Sequence, residues 1–221
     1  MPTSKINFRD YEVNIICNPC LKNSYIRINP DDTITVKTPY RSNSFALAFL
    51  EEKRAWVEKQ MQKNAMQEKL EINLEDEILL FGERYSIDAS EAEFLRKKLH
   101  RLKISSHEKI MKCYDIFYKE QAREYLTKRT EYFASIMKLK YKDLKFRKMK
   151  SRWGSCSSLG VLTFNSELMK LEKRLVDYVV VHELAHLVHM NHSKNFHALV
   201  DVYIKDSKEV RKRLKAVRIA T

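Results

Sequence analysis

Apolar and polar residues alternate along the first forty positions. Tyr25-Ile-Arg-Ile and Thr33-Ile-Thr-Val-Lys read as strands, and Asn29-Pro30-Asp31-Asp32 between them suits a hairpin turn. From Ser44 to about Lys63 the period lengthens to that of a helix, with Phe45, Leu47, Phe49, Leu50, Trp56 and Val57 as the apolar face. Ile78 to Ile87 returns to strand character and turns at Phe81-Gly82.

A long helix is predicted next. Ser105 with Glu108 three residues later fits a capping box. Ile110, Tyr114, Phe117, Tyr118, Ala122, Tyr125, Leu126, Phe133 and Met137 follow at helical spacing, to about Lys138. At that spacing the aromatics belong to a core rather than to a base-stacking surface. Leu144 to Met149 and Val161 to Asn165 read as strands, with Arg152 to Gly160 between them rich in turn formers and a hairpin bent near Ser158–Gly160. Leu175 to about Met190 is a strongly apolar helix, closed at Met190-Asn191 because Asn tolerates the left-handed conformation. The fold class predicted is α+β. A β-rich N-terminal region with one helix covers 1–90, a helical basic region 91–143 and a region of hairpin plus apolar helix 144–221, with one continuous domain as the alternative.

Composition narrows the class. With 44% hydrophobic and 32% charged residues over 221 positions, the chain reads as a soluble globular protein. No stretch approaches the ~20 apolar residues that span a bilayer, and the N-terminus lacks the apolar run of a signal peptide. The expected location is the cytoplasm. Cys17 and Cys20 form a single CxxC with no second pair, so a four-cysteine zinc ribbon is unsupported and the spacing reads as chance. The net charge is +13, and residues 91–150 hold 18 Lys and Arg against 8 Asp and Glu. Such a field attracts nucleic acid, nucleotide or acidic protein without choosing among them; a solvated helix face is the plainer reading.

Chemistry concentrates in His182-Glu183-Leu184-Ala185-His186. Residues four apart lie one turn apart on a helix, so His182 and His186 can point ring nitrogens at one zinc ion. Glu183 can then act as base for a zinc-bound water. Val179-Val180-Val181 before and Leu187-Val188 after bury this helix, where histidines and a glutamate are costly without a partner. A third ligand is required. His189 shares the helix face but stands ~10 Å along it from His182. His192 follows the helix end, and Ser193 can cap a new helix containing Phe196, Leu199 and Val200. The order of preference is His192, His197, His189.

Arg152-Trp-Gly-Ser-Cys-Ser-Ser, Asp177-Tyr-Val-Val-Val-His-Glu-Leu-Ala-His and Asn191-His-Ser-Lys-Asn-Phe resemble the YgjP-like metallopeptidase-domain proteins. These are bacterial proteins related in their catalytic core to the SprT-like and WLM zinc proteases. The resemblance extends over most of the chain, including the helix bearing Trp56 and Gln121-Ala-Arg-Glu-Tyr-Leu. It implies zinc ligands at His182, His186 and His192 and a base at Glu183. The family commonly has Trp after the last Phe, where this chain has His197. The resemblance also implies that 144–221 is a zincin-like catalytic core, in which a sheet-edge strand lies beside the metal helix and can pair with an extended substrate. Gly154 would admit a close backbone there, and Arg152 or Ser155 could stabilise an oxyanion.

The function expected is a zinc metallopeptidase acting on a protein or peptide. The alternatives are a zinc-dependent nucleotide phosphoanhydride hydrolase and a non-enzymatic, nucleic-acid-associated zinc protein. The intact Glu183 disfavours the last. Substrate, physiological metal and oligomeric state are left open by the sequence.

Overall fold

The alternating segments at the start of the chain become a four-stranded sheet of β1 (Thr3–Phe8), β2 (Tyr11–Cys17), β3 (Tyr25–Ile28) and β4 (Ile34–Thr38), in the order β1-β2-β4-β3. The computed structural model describes residues 3–29, 31–70, 72–102 and 106–219. β3 and β4 form the expected hairpin; Asp32 takes a left-handed conformation in the turn, and Asp31 Oδ1 accepts from the Thr33 amide and hydroxyl. Pro30 of that turn lies outside the described residues.

The stretch expected as one helix is two, α1 (Asn43–Glu52) and α2 (Arg54–Ala65), because the backbone leaves the helical region at Lys53. Their buried face is Ala46, Leu50, Val57 and Met61, packed with Val13, Ile15, Ile34 and Val36 of the sheet. Trp56 and Leu47 are exposed instead. The chain divides after Glu68 into two compact units, passing from the first to the second through the short strand β5 (Glu68–Lys69).

The second unit opens with the hairpin of β6 (Glu77–Leu80) and β7 (Glu83–Ser86). Phe81 and Gly82 both have positive φ, the requirement of a two-residue turn matched to strand twist. After α3 (Glu93–His100) comes α4 (His107–Met137), the central helix, whose predicted apolar residues are its core face. Ser106 caps it by accepting from the Lys109 amide; Ser105, the cap expected from the sequence, lies outside the described residues. The aromatics of α4 are core groups. Two of them also anchor β6: the Tyr114 hydroxyl donates to the Glu77 carbonyl and the Tyr118 hydroxyl to the Leu79 carbonyl.

β8 (Asp143–Arg147), β9 (Gly154–Cys156) and β10 (Val161–Asn165) form a sheet in the order β8-β10-β9. The hairpin is made by β9 and β10, while β8 lies parallel on the other side of β10. The return from β8 is thus a crossover rather than a hairpin arm. Then α5 (Lys173–Ala185) crosses the core, followed by α6 (Lys194–Tyr203) and α7 (Ser207–Ala216). Among the described residues no helix is long and apolar enough to cross a membrane.

Candidate metal centre

α5 is fixed to α4 by a two-pronged ion pair. Arg129 Nε and Nη2 donate to the two carboxylate oxygens of Asp177, each at 2.7 Å. The guanidinium also lies 4.8 Å from the ring centres of Tyr132 and Phe133. This planar, partly buried pairing fixes both position and rotation of the helix. His182 follows about one and a half turns after Asp177, and His186 about two and a half.

α5 ends at Ala185, earlier than the sequence suggested. Leu187 and Val188 bond back three residues, to Leu184 and Ala185, tightening the last turn. The chain then turns through 187–191. His186 Nδ1 lies 3.1 Å from the His189 carbonyl, which can only accept; Nδ1 therefore donates, which leaves Nε2 as the nitrogen available to a ligand. Ser193 caps α6 by accepting from the Phe196 amide, as expected. This directs His192, just before the cap, back to α5.

The result is a convergence of three imidazoles. One potential ligand atom from each of His182, His186 and His192 falls within 4.8 Å of the others, and the Nε2 atoms of His182 and His192 are 3.0 Å apart. His189 and His197 do not join this cluster. Beneath it lies Phe196, fully buried, with ring-centre distances of 4.9, 4.7 and 4.9 Å to His182, His186 and His192. Burial holds the His182 imidazole down to about 3, with His186, His192, Arg211 and His197 adding to it. His192 is lowered as well, first by burial. Neutral imidazoles are the ligand form, so His182 and His192 are held ready for a cation rather than for protons.

Glu183 points to β9. It is 5% exposed, and its Oε2 has no hydrogen-bond partner. Burial pushes the carboxyl up to about 8, with Arg152 acting the other way. Its side chain occupies the space above the Gly154 α-carbon, where a Cβ would come within 2.5 Å of Oε1. Ser155 is half-buried in β9 opposite Thr163, and Arg152 is exposed. Cys156 beside them has its thiol raised by burial and then by Glu183, which makes it a poor nucleophile.

Sequence reasoning missed the group that shapes this side of the site. Asn165 is fully buried at the end of β10. Its Nδ2 donates to the carbonyls of Met149 and Arg152 at 2.8 and 3.0 Å, and its Oδ1 accepts from the amides of Met149 and Glu167. This amide ties the loop leading into Gly154 to the end of β10, beside the Asn165 backbone N–H that donates to the Trp153 carbonyl. Asn165→Ala is expected to lower the unfolding free energy by about 2–4 kcal/mol, since it strands several buried polar groups. Urea denaturation measures this, and an unchanged midpoint would show that the loop holds itself.

The model of the YgjP-like, metallopeptidase domain family matches residues 22–217. No curated protein matches the chain. Among solved structures, the metallopeptidase zymogen abylysin of Pyrococcus abyssi is 22% identical, with 42% of this chain and 98% of that chain covered at a TM-score of 0.38. The metallopeptidase zymogen jannalysin of Methanocaldococcus jannaschii is 18% identical, with 40% and 91% covered at a TM-score of 0.36.

Proposed function

Since this chain belongs to the YgjP-like metallopeptidase-domain family, we propose that it is a zinc-dependent peptidase with Glu183 as general base. The observation that carries this reading is the convergence of His182, His186 and His192 beside a buried, partnerless carboxylate. The donor set fits zinc: three imidazole nitrogens, no thiolate among them and a remaining position for water or substrate. Bound there, zinc supplies Lewis acidity to a substrate carbonyl and lowers the pKa of water.

The chain's own groups do the rest. Glu183, with a proton affinity matched to neutral pH, accepts a proton from the attacking water and returns it to the leaving amine. β9 is an edge strand, bonded to β10 alone within its sheet. Its outer backbone groups and Ser155 align an extended peptide, and Arg152 beside it stabilises charge that develops on the carbonyl oxygen. The basic stretch 91–150 keeps nucleotide or nucleic acid as candidate ligands. Part of its charge is already neutralised along the helices by Glu93–Lys97, Glu108–Lys112 and Glu124–Lys128.

The test is a panel of casein, short peptides and nucleoside triphosphates, run with the zinc-loaded protein and after chelation. Peptide cleavage lost on chelation and restored by zinc is the expected result. Hydrolysis of triphosphates alone would move the reading to phosphoanhydride chemistry. His192→Ala is expected to weaken zinc binding by about 10²-fold or more, measured by competition with a chromogenic chelator. Unchanged affinity would remove His192 from the ligand set.

A further inference from the structure

α7 packs against α5 and brings a full positive charge close to the imidazole cluster. Arg211 Nη1 lies 3.4 Å from His197 Nε2, and the His197 ring lies 6.3 Å from the His192 ring at an interplanar angle of 28°. Beyond the effect of burial, the guanidinium depresses the basicity of both His182 and His192. It makes no hydrogen bond to the three converging histidines; His197 stands between.

Arg211 is half-buried, and the His197 nitrogen is its one hydrogen-bond partner among the described residues. No carboxylate of those residues lies within ion-pair distance of it. Asp201, the acid on the adjoining helix α6, is engaged by the Ser207 hydroxyl. A guanidinium has five donors, and those not turned to His197 are available to a further acceptor. The position carries a cost, because a fixed cation repels any divalent ion held by the histidines. A bound anion would accept from those donors and offset that repulsion.

We propose that Arg211, steadied by His197, is the anchor for a carboxylate of the peptide substrate. The inference rests on the peptidase reading above and names what that site selects. A planar guanidinium matches a carboxylate with two parallel hydrogen bonds. Set back from the ligand nitrogens by the His197 ring, it meets a group one or two residues from the scissile bond, since an extended chain advances ~3.3–3.6 Å per residue. Either the chain's terminal carboxylate or an Asp or Glu side chain supplies that chemistry.

The experiment measures peptide binding by calorimetry to zinc-loaded Glu183→Gln protein. One pair of peptides differs only in a C-terminal acid or amide, and a second only in Glu or Gln near the centre. We expect the acid of one pair to bind about tenfold tighter than its neutral partner, which identifies the source. Adding Arg211→Gln should abolish that preference, and Arg211→Lys should keep part of it. Zinc affinity of Arg211→Gln should rise about fourfold with the repulsion removed. A preference that survives Arg211→Gln, the lack of any preference in either pair, or a fall in zinc affinity would overturn the proposal. If the wild type cleaves no peptide while the preference and its loss are both seen, the anchor stands and the peptidase reading fails.

Discussion

Glu183→Gln is expected to lower peptide hydrolysis by about 10²–10⁴-fold while zinc content stays at the wild-type level. The amide is isosteric, so contact with Gly154 and the placement of α5 are kept; the capacity to take a proton is not. A second readout comes from the metal-free protein. The carboxyl titrates near 8 in the folded chain against an ordinary 4.5, so the unfolded chain gives up its proton first as pH rises. Stability contributed by the neutral group is therefore full below about 4.5 and is lost as pH climbs through about 8. Thermal melts of the Gln variant should lack that fall. Wild-type rates in the variant, measured beside its metal content, would remove Glu183 from the chemistry.

Gly154→Ala should be nearly as damaging, although the residue carries no functional group. An added Cβ would meet Glu183 Oε1 at 2.5 Å, Cγ at 2.7 Å and Cδ at 2.8 Å. A flexible end alone could swing aside, but Cγ is tied to a buried helix, so either the carboxylate leaves its place or β9 retreats from α5. Displacement of a catalytic group by 1 Å costs about 10²-fold in rate. The overpacking itself costs about 1–3 kcal/mol. The signature is a lowered kcat at normal zinc occupancy with a modest drop in Tm. Full activity in Gly154→Ala would mean that the close approach has no bearing on turnover.

These two positions show where the sequence is readable. The relation of His182, Glu183 and His186 is set by a helix period, so their common location follows from spacing alone. His192 needed a helix end, a capping Ser193 and the family resemblance, and the structure brings it to the other two. Secondary structure was equally legible where periodicity was strong: the 25–38 and 78–87 hairpins and the long α4 with its aromatic core. Boundaries set by packing were not. Lys53 breaks a helix in which no Gly or Pro stands, and α5 stops at Ala185 although Leu187 and Val188 continue its apolar run. Gly154 was read as room for an incoming backbone, whereas the space is filled by a side chain 29 positions later in the chain. Asn165, Phe196 and Arg211 owe their significance to long-range neighbours, about which local pattern is silent.

The 187–191 turn gives the centre an uneven construction. His182 and His186 ride on a helix clamped by Arg129 and Asp177, whereas His192 is exposed and held by the length of a short turn and the cap that follows it. Two jaws of the site are thus tied to the core and the third is placed by a connecting turn. Lengthening or shortening that turn by a residue would reset the aperture between them while leaving the Arg129–Asp177 clamp in place. The fit of the site to an ion's radius would thus be set in a stretch of five residues in which Leu187 is the hydrophobic side chain packed against the core.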